Sequence, residues 1–309
     1  MDSLDWDKAE ESLFDQSINK IKMETELYKD RSVSGCIKAG AALLLTHFST
    51  LICRLWLPGL LYALVSGGLY LLFTSILLGE GAAEGIRLAQ SLLFLGGEMA
   101  IVALFGYVLA GVMGLLQENG VKANLMKAMK ISFLLGALLF AIGQIVILAI
   151  GGFGLAPMGV TIAGASSSVW MWALLIIATG GLLLLVPFHY VAMKYCFCRE
   201  AKLRKHLLPF YVTGLKHWGF LFGISFFTTF IAVVVGALLF LPVSILFLAQ
   251  LQSAVGQSMG DASGLPTYFP LLQFASVALC TLLFLLISVW ALFVSYYAFG
   301  AIEARGAKS

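Results

Sequence analysis

The sequence predicts an all-α polytopic membrane protein, with six transmembrane helices arranged as three tandem repeats. Each repeat comprises a cytoplasmic interfacial helix followed by a transmembrane hairpin. Three observations lead there. Hydrophobic residues make up 61% of the 309-residue chain and charged residues 11%, against roughly 25% charged in soluble domains. The apolar runs are continuous over membrane length and do not alternate, so they read as helices and not as strands of a barrel. Finally, the stretch Leu215-Lys216-His217-Trp218-Gly219-Phe220-Leu221 has two echoes, Leu45-Thr46-His47-Phe48-Ser49-Thr50-Leu51 and Met129-Lys130-Ile131-Ser132-Phe133-Leu134-Leu135. Their first residues stand 84 and 86 residues apart, and a fixed period marks a repeated unit.

Residues 1–32 form an acidic cytoplasmic tail holding nine of the sixteen Asp and Glu. Phe14, Ile18, Ile21 and Tyr28 recur at helical spacing among charges, as in an amphipathic helix. Such a helix lies solvated against the bundle or docks a membrane-protein partner. The acidic start, without a basic n-region, is not a cleaved signal peptide.

The six-helix domain covers residues 33–301, with repeats at about 33–116, 117–195 and 196–301. Residues 33–55 read as the first surface helix, carrying Lys38, His47 and Arg54. The first span covers about 57–79 and places Pro58 in its first turn, where a missing N–H costs nothing. Gly59, Ala63 and Gly67 give it a small-residue face for close packing. The second span, about 89–116, ends at Gln117-Glu118-Asn119-Gly120. Lys122, Lys127 and Lys130 introduce the third, at about 131–151. A chargeless loop, 152–168, leads to the fourth span, about 169–193. Trp170 and Trp172 stand at its outer end, Tyr190 and Tyr195 at its inner end, as aromatic anchors do. Pro187 kinks this span unless a neighbour takes up the freed carbonyl. The most basic stretch, with Lys194, Arg199, Lys202, Arg204, Lys205 and Lys216, precedes the fifth span at about 219–241, closed by Pro242. The last span covers about 270–300, and 302–309 form a cytoplasmic tail.

Orientation follows from charge. Of the nineteen Lys and Arg, only Arg87 falls outside the N-terminal region, the two linkers at 117–131 and 194–218, and the C-terminal tail. The positive-inside rule makes that shared face cytoplasmic, with both termini inside. Each hairpin has two spans, so the repeats are related by an axis along the membrane normal.

Three hairpins in a chain of this length are also the layout of mitochondrial carriers, which carry a proline, an acidic and a basic residue on each odd span. Here Pro58 is followed by Gly-Leu-Leu-Tyr and Pro242 by Val-Ser-Ile-Leu, so that family is excluded. With its basic surface helix leading into a hairpin, as in Lys202 to Phe220, the chain resembles six-helix bacterial inner-membrane proteins. These include the membrane domain attached to some glycerophosphodiester phosphodiesterases. The resemblance implies a multi-pass protein of the bacterial inner membrane (a plasma membrane), associated with lipid, and transfers no catalytic residue.

No catalytic, metal or cofactor motif is present: there is no H-E-x-x-H, G-x-S-x-G, Walker loop or Rossmann fingerprint. His47, His189, His206 and His217 are scattered singles suited to interfacial anchoring. The five cysteines have neither disulfide nor zinc spacing and read as buried small apolar residues. No nucleic-acid partner is expected. Lys122, Lys127, Lys130, Arg199, Lys202, Arg204, Lys205 and Lys216 lie where anionic phospholipid headgroups are found. They fix topology, with or without specific headgroup binding.

Deeper polar residues are few. Glu98 of the second span shares a face with Arg87 and Ser91, and Gln144 lies in the third. Counted from the inner ends at about 1.5 Å per residue, Gln144 is expected roughly 20 Å deep and Glu98 roughly 30 Å. Glu98 is either a structural glutamate or a proton-responsive coupling site. The functional reading is a non-enzymatic scaffold or lipid-interacting membrane protein. The alternative is a small-solute permease or channel, which needs a polar lining that this pair supplies only sparsely.

The topology is directly testable. Cysteines introduced at Ala83, Ala163 and Ser263 react with an impermeant thiol reagent in intact cells, and those at Ala123 and Ala201 do not. Labelling of the second pair with none of the first would invert the orientation.

Overall fold

A computed structural model describes residues 27–78, 84–117, 119–155, 167–198, 203–261 and 264–306. Among the described residues it is helical without strands, and six helices are long and apolar enough to cross a membrane. The protein is therefore an integral multi-pass membrane protein by helix length and composition.

In chain order the helices are α1 (Val33–Thr46), α2 (Phe48–Leu78), α3 (Glu84–Leu116), α4 (Val121–Leu155) and α5 (Ser167–Leu185). They continue as α6 (Phe188–Phe197), α7 (Leu203–Lys216), α8 (Trp218–Leu239), α9 (Leu241–Ser258) and α10 (Phe269–Gly306). The amphipathic helix expected within residues 1–32 lies almost wholly outside the described residues.

The long final helix α10 is the hub, packing against α1, α2, α6, α8 and α9. Small residues let the partners approach. The face expected from Gly59, Ala63 and Gly67 is buried, and a Cβ at Gly67 would come within 2.9 Å of Phe274 on α10. At Gly40 of α1, a Cβ would lie 2.9 Å from the backbone nitrogen of Val294. The largest buried cluster gathers Cys36, Val186, Tyr190, Leu221, Val294 and Phe299 at one end of the bundle, here called the basal end. Towards the other end apolar side chains turn outward. On α8, Trp218, Phe222, Phe226 and Phe230 stack along one exposed face with centroids 5.0, 6.1 and 6.5 Å apart. In lipid that face needs no protein cover.

The helix boundaries differ from the expectations in instructive ways. α2 starts at Phe48, so Pro58 lies inside the helix, not in its first turn. Membrane helices tolerate such a proline because one lost bond is absorbed locally. The predicted break near residue 131 is absent, and Val121–Leu155 forms one helix. Nothing at Lys130-Ile131 disfavours α geometry, whereas the corresponding turns occur at His47 and His217. Those two share nearly the same backbone, φ −103° and ψ 15° against φ −108° and ψ 24°. Each ends a 14-residue helix and starts a long apolar one. Residues 302–306, expected as tail, continue α10. Of the cysteines, Cys36, Cys196 and Cys280 are buried, but Cys53 is exposed and Cys198 half-buried. Lipid accepts an exposed thiol on a membrane helix as readily as a core does.

Pro187 does interrupt its span, separating α5 from α6. Its missing N–H frees the carbonyl of Leu183, which accepts from the Val186 N–H at 3.3 Å and the Trp218 indole N–H at 3.4 Å. One residue on, the Leu184 carbonyl accepts from the Tyr211 hydroxyl at 2.9 Å. α7 fits over the break because Gly214 has no side chain: a Cβ there would lie 3.0 Å from the Pro187 oxygen.

Trp218→Phe keeps the ring stack and removes the indole donor, so it costs about 0.5–1.5 kcal/mol of unfolding stability in detergent. In a Pro187→Ala background, where an N–H is restored to Leu183, the same substitution costs less than about half as much. Equal costs in both backgrounds would show that Trp218 does not serve the break.

Candidate functional site

Most side-chain bonds between distant segments collect at the basal end, around the C-terminal turns of α10 and the segment entering α1; away from it, the buried Gln273 of α10 donates to Gln250 of α9 at 2.7 Å. The run Tyr296-Tyr297-Ala298-Phe299-Gly300-Ala301-Ile302-Glu303 alternates bulk with small residues. Gly300 admits the incoming chain. A Cβ there would lie 2.3 Å from the Leu27 carbonyl, and Leu27 is buried against it.

Arg305 ties the two segments together. Its Nε donates to Asp30 Oδ1 at 2.7 Å, its Nη2 donates to the Arg31 carbonyl at 2.8 Å, and its guanidinium lies 4.1 Å from the centre of the Phe220 ring. Arg31 stacks over Tyr297 at 4.7 Å and donates one bond to the Leu27 carbonyl at 3.3 Å. Beside this lies a second knot. Lys194 donates to Glu303 at 2.8 Å and to the Tyr190 hydroxyl at 2.9 Å, and Tyr190 itself donates to Glu303. The Lys194 ammonium also faces the rings of Tyr190 and Phe210 at 5.3 and 5.2 Å. The thiol of Cys36, in α1 beneath Arg31 and Arg305, is pushed up to about 11 by burial, against the opposing pull of the two arginines. It stays protonated and unreactive at neutral pH.

A third knot joins the two linkers. Gln117 donates to the Cys196 carbonyl at 3.4 Å, Asn119 to Gln117 at 3.0 Å and buried Asn124 to Asn119 at 2.6 Å. Lys127 donates to the Cys198 carbonyl at 2.5 Å and faces Tyr195 at 5.7 Å.

Two concavities accompany these knots. An apolar groove of about 600 Å³ runs between α8 and α10, lined by residues including His189, Ser225, Thr228, Gly236, Phe284 and Ser295. At the basal end, a cleft of about 360 Å³ opens between α1 and α10 and contains Arg31, Thr46, His47, Tyr296 and Tyr297.

The lysines singled out by sequence divide. Lys122, Lys130, Lys205 and Lys216 are exposed, whereas Lys127 is committed to the linker knot. Arg199 and Lys202 fall outside the described residues, as does the side chain of Arg204. Among the deeper residues, Ser91 and Gln144 are exposed and Glu98 is half-buried, while the side chain of Arg87 falls outside the described residues. Glu98 lies within electrostatic range of Tyr62 on α2 and makes no hydrogen bond or ion pair with another described residue.

The expected depth order of Glu98 and Gln144 is reversed. Because α4 begins at Val121 rather than 131, Gln144 stands about 35 Å from its basal end, against about 27 Å for Glu98 in α3. The packing register agrees, since Gly136 meets Val102 and Gly106 meets Met129 across the two helices. Glu98 thus stands level with residues near 140, more than a turn short of Gln144. The two do not share one site.

Among the described residues no group of three or more His, Cys, Asp and Glu could hold a metal ion. His47 and His217 sit at helix breaks, and His206 stacks on Phe210 at 5.6 Å. Sequence reasoning passed over Arg31, Glu303 and Arg305 as tail charges. The available signal was their position, about two turns beyond the aromatic pair Tyr296-Tyr297 or within a turn of the start of α1. No protein-family model, curated protein or solved structure matches the chain.

Glu98→Gln keeps the shape and removes the charge. Thermal unfolding in detergent shifts by less than about 1 kcal/mol, as befits a group without a salt-bridge partner. A loss of several kcal/mol would mean that an ionised Glu98 is held by a partner in the fold.

Proposed function

We propose that the chain is a non-enzymatic scaffold or lipid-interacting protein of the bacterial inner membrane, with its basal end and both termini in the cytoplasm. The observation that carries this reading is α7. Its Gly214 side seats on Pro187, while Leu208, Val212 and Leu215 recur at i, i+4 and i+7 with 69%, 46% and 43% of their surface exposed. Exposed Lys205 and Lys216 flank that stripe. A helix with an uncovered apolar stripe between cations is suited to the lipid interface, where the stripe enters the acyl boundary and the cations meet anionic headgroups. The matching turns at His47 and His217 support the further proposal that α1–α2 and α7–α8 are copies of one unit, an interfacial helix leading into a span. We further propose that the chain is of the type of the six-helix inner-membrane proteins that its sequence resembles, including the phosphodiesterase-linked domain. Residues 1–32, acidic and amphipathic in sequence, are proposed as the docking segment for a membrane-protein partner.

The test is lipid selectivity. The purified protein in mild detergent retains phosphatidylglycerol over phosphatidylcholine in native mass spectrometry. Lys205→Gln and Lys216→Gln each reduce that preference roughly fivefold, the equivalent of about 1 kcal/mol per near-surface charge. Unchanged selectivity in the double variant would overturn the reading.

A further inference from the structure

The basal cleft between α1 and α10 is separate from α7 and has a different chemistry. Among the described residues its walls carry an arginine, a histidine, a threonine and two tyrosines, and no carboxylate. Arg31 is half-buried. Its neighbour Asp30 is engaged by Arg305, and among the described residues no carboxylate pairs with Arg31. A half-buried guanidinium without a counter-ion is costly to hold in place. Here it is nevertheless held from two sides, by the Tyr297 ring at 4.7 Å and the Leu27 carbonyl at 3.3 Å. Only one of its N–H groups is spent on that bond, leaving others for the cleft it lines.

We propose that this cleft is a binding site for a phosphate monoester or diester group. The planar fork of Arg31 matches two phosphate oxygens. Thr46 and His47 line the same cleft at the far end of α1, too far along the helix to share the phosphate with Arg31, and close the cleft around the group's substituent. The volume of about 360 Å³ holds a phosphate with a small substituent and lies at the lower end of ligand pockets. The site is built, not incidental. Leu27 against Gly300 and Arg305 against both Asp30 and the Arg31 carbonyl fix the backbone from which Arg31 projects. The phosphate can come from a lipid headgroup or from solution. The first source deepens the lipid-interacting reading and rests on it; the second does not.

The experiment uses the full chain in mild detergent and reads thermal stabilisation and affinity with phosphatidic acid, diacylglycerol and inorganic phosphate. The expected result is stabilisation by phosphatidic acid and none by diacylglycerol, with affinity reduced about tenfold or more in Arg31→Gln. Arg31→Lys, which keeps charge and loses the fork, falls in between. Competition by millimolar inorganic phosphate identifies a soluble phosphate compound as occupant, and its absence identifies a lipid. Should Arg31→Gln fail to fold, Thr46→Val, remote from the Tyr297 contact, carries the same expectation of weaker binding. Equal binding of phosphatidic acid by wild type, Arg31→Gln and Thr46→Val overturns the cleft, as does equal stabilisation by diacylglycerol. Loss in Lys205→Gln and Lys216→Gln but not in the cleft variants overturns the cleft and leaves the α7 reading standing. Loss in the cleft variants alone supports the cleft and counts against α7.

Discussion

A helix can break inside a membrane only where something else takes up the hydrogen bonds it abandons. That constraint explains much of how this bundle is put together. At Pro187 the carbonyls of Leu183 and Leu184 are taken by Trp218 and Tyr211 from the α7–α8 unit. At the second break, between α8 and α9 with Pro242 just beyond, the Leu239 carbonyl accepts from the Cys280 thiol of α10 at 3.2 Å. The donor in each case comes from a distant part of the chain. Each break therefore also works as a joint, fixing one segment against another with a directional bond that apolar packing in lipid cannot provide.

The same logic separates the two ends of the molecule. Outward of the basal core the helices meet mainly through small residues, with Gln273–Gln250 and Cys280–Leu239 as polar contacts, and expose leucine, isoleucine and phenylalanine, which lipid solvates without penalty. At the basal end, charges and backbone ends must be handled near the interface, and there the contacts become polar and specific. α10 passes through both regimes. Phe274 receives Gly67 by shape, while Glu303 and Arg305 receive Lys194 and Asp30 by charge. Half-exposed pairs of this kind contribute little each. Their use here is geometric, since they set where the entering segment meets the last helix.

How much of this could be read beforehand depended on the length scale of the signal. Six spans were legible because twenty apolar residues in a row admit one solution. Gly59, Ala63 and Gly67 were legible as a packing face because their spacing is helical, and Pro187 as a break because its chemistry is local. The continuity of α4 was not: a lysine beside an isoleucine reads equally well as an interface boundary or a helix interior, and only the surrounding packing decides. Depth suffered with it, since Gln144 was counted from a helix start ten residues too late. The basal knots were hidden for another reason. Arg31 and Tyr297, or Lys194 and Glu303, lie more than a hundred residues apart, and nothing in either segment names the other.

The distribution of committed and uncommitted charge links the fold to its surroundings. Among the described residues the carboxylates of Asp30 and Glu303 are both consumed internally, by Arg305 and Lys194. Lys127 is consumed by a backbone carbonyl. Among the described residues the basal end also carries Lys122, Lys130, Lys205 and Lys216 at the surface and Arg31 in the cleft. Cations left over beside a membrane find their counter-ions in the headgroup layer. The two kinds of surplus call for different partners. Lysines on an exposed helix suit a diffuse anionic surface, and a guanidinium clamped against an aromatic ring in a cleft suits one phosphate at a time.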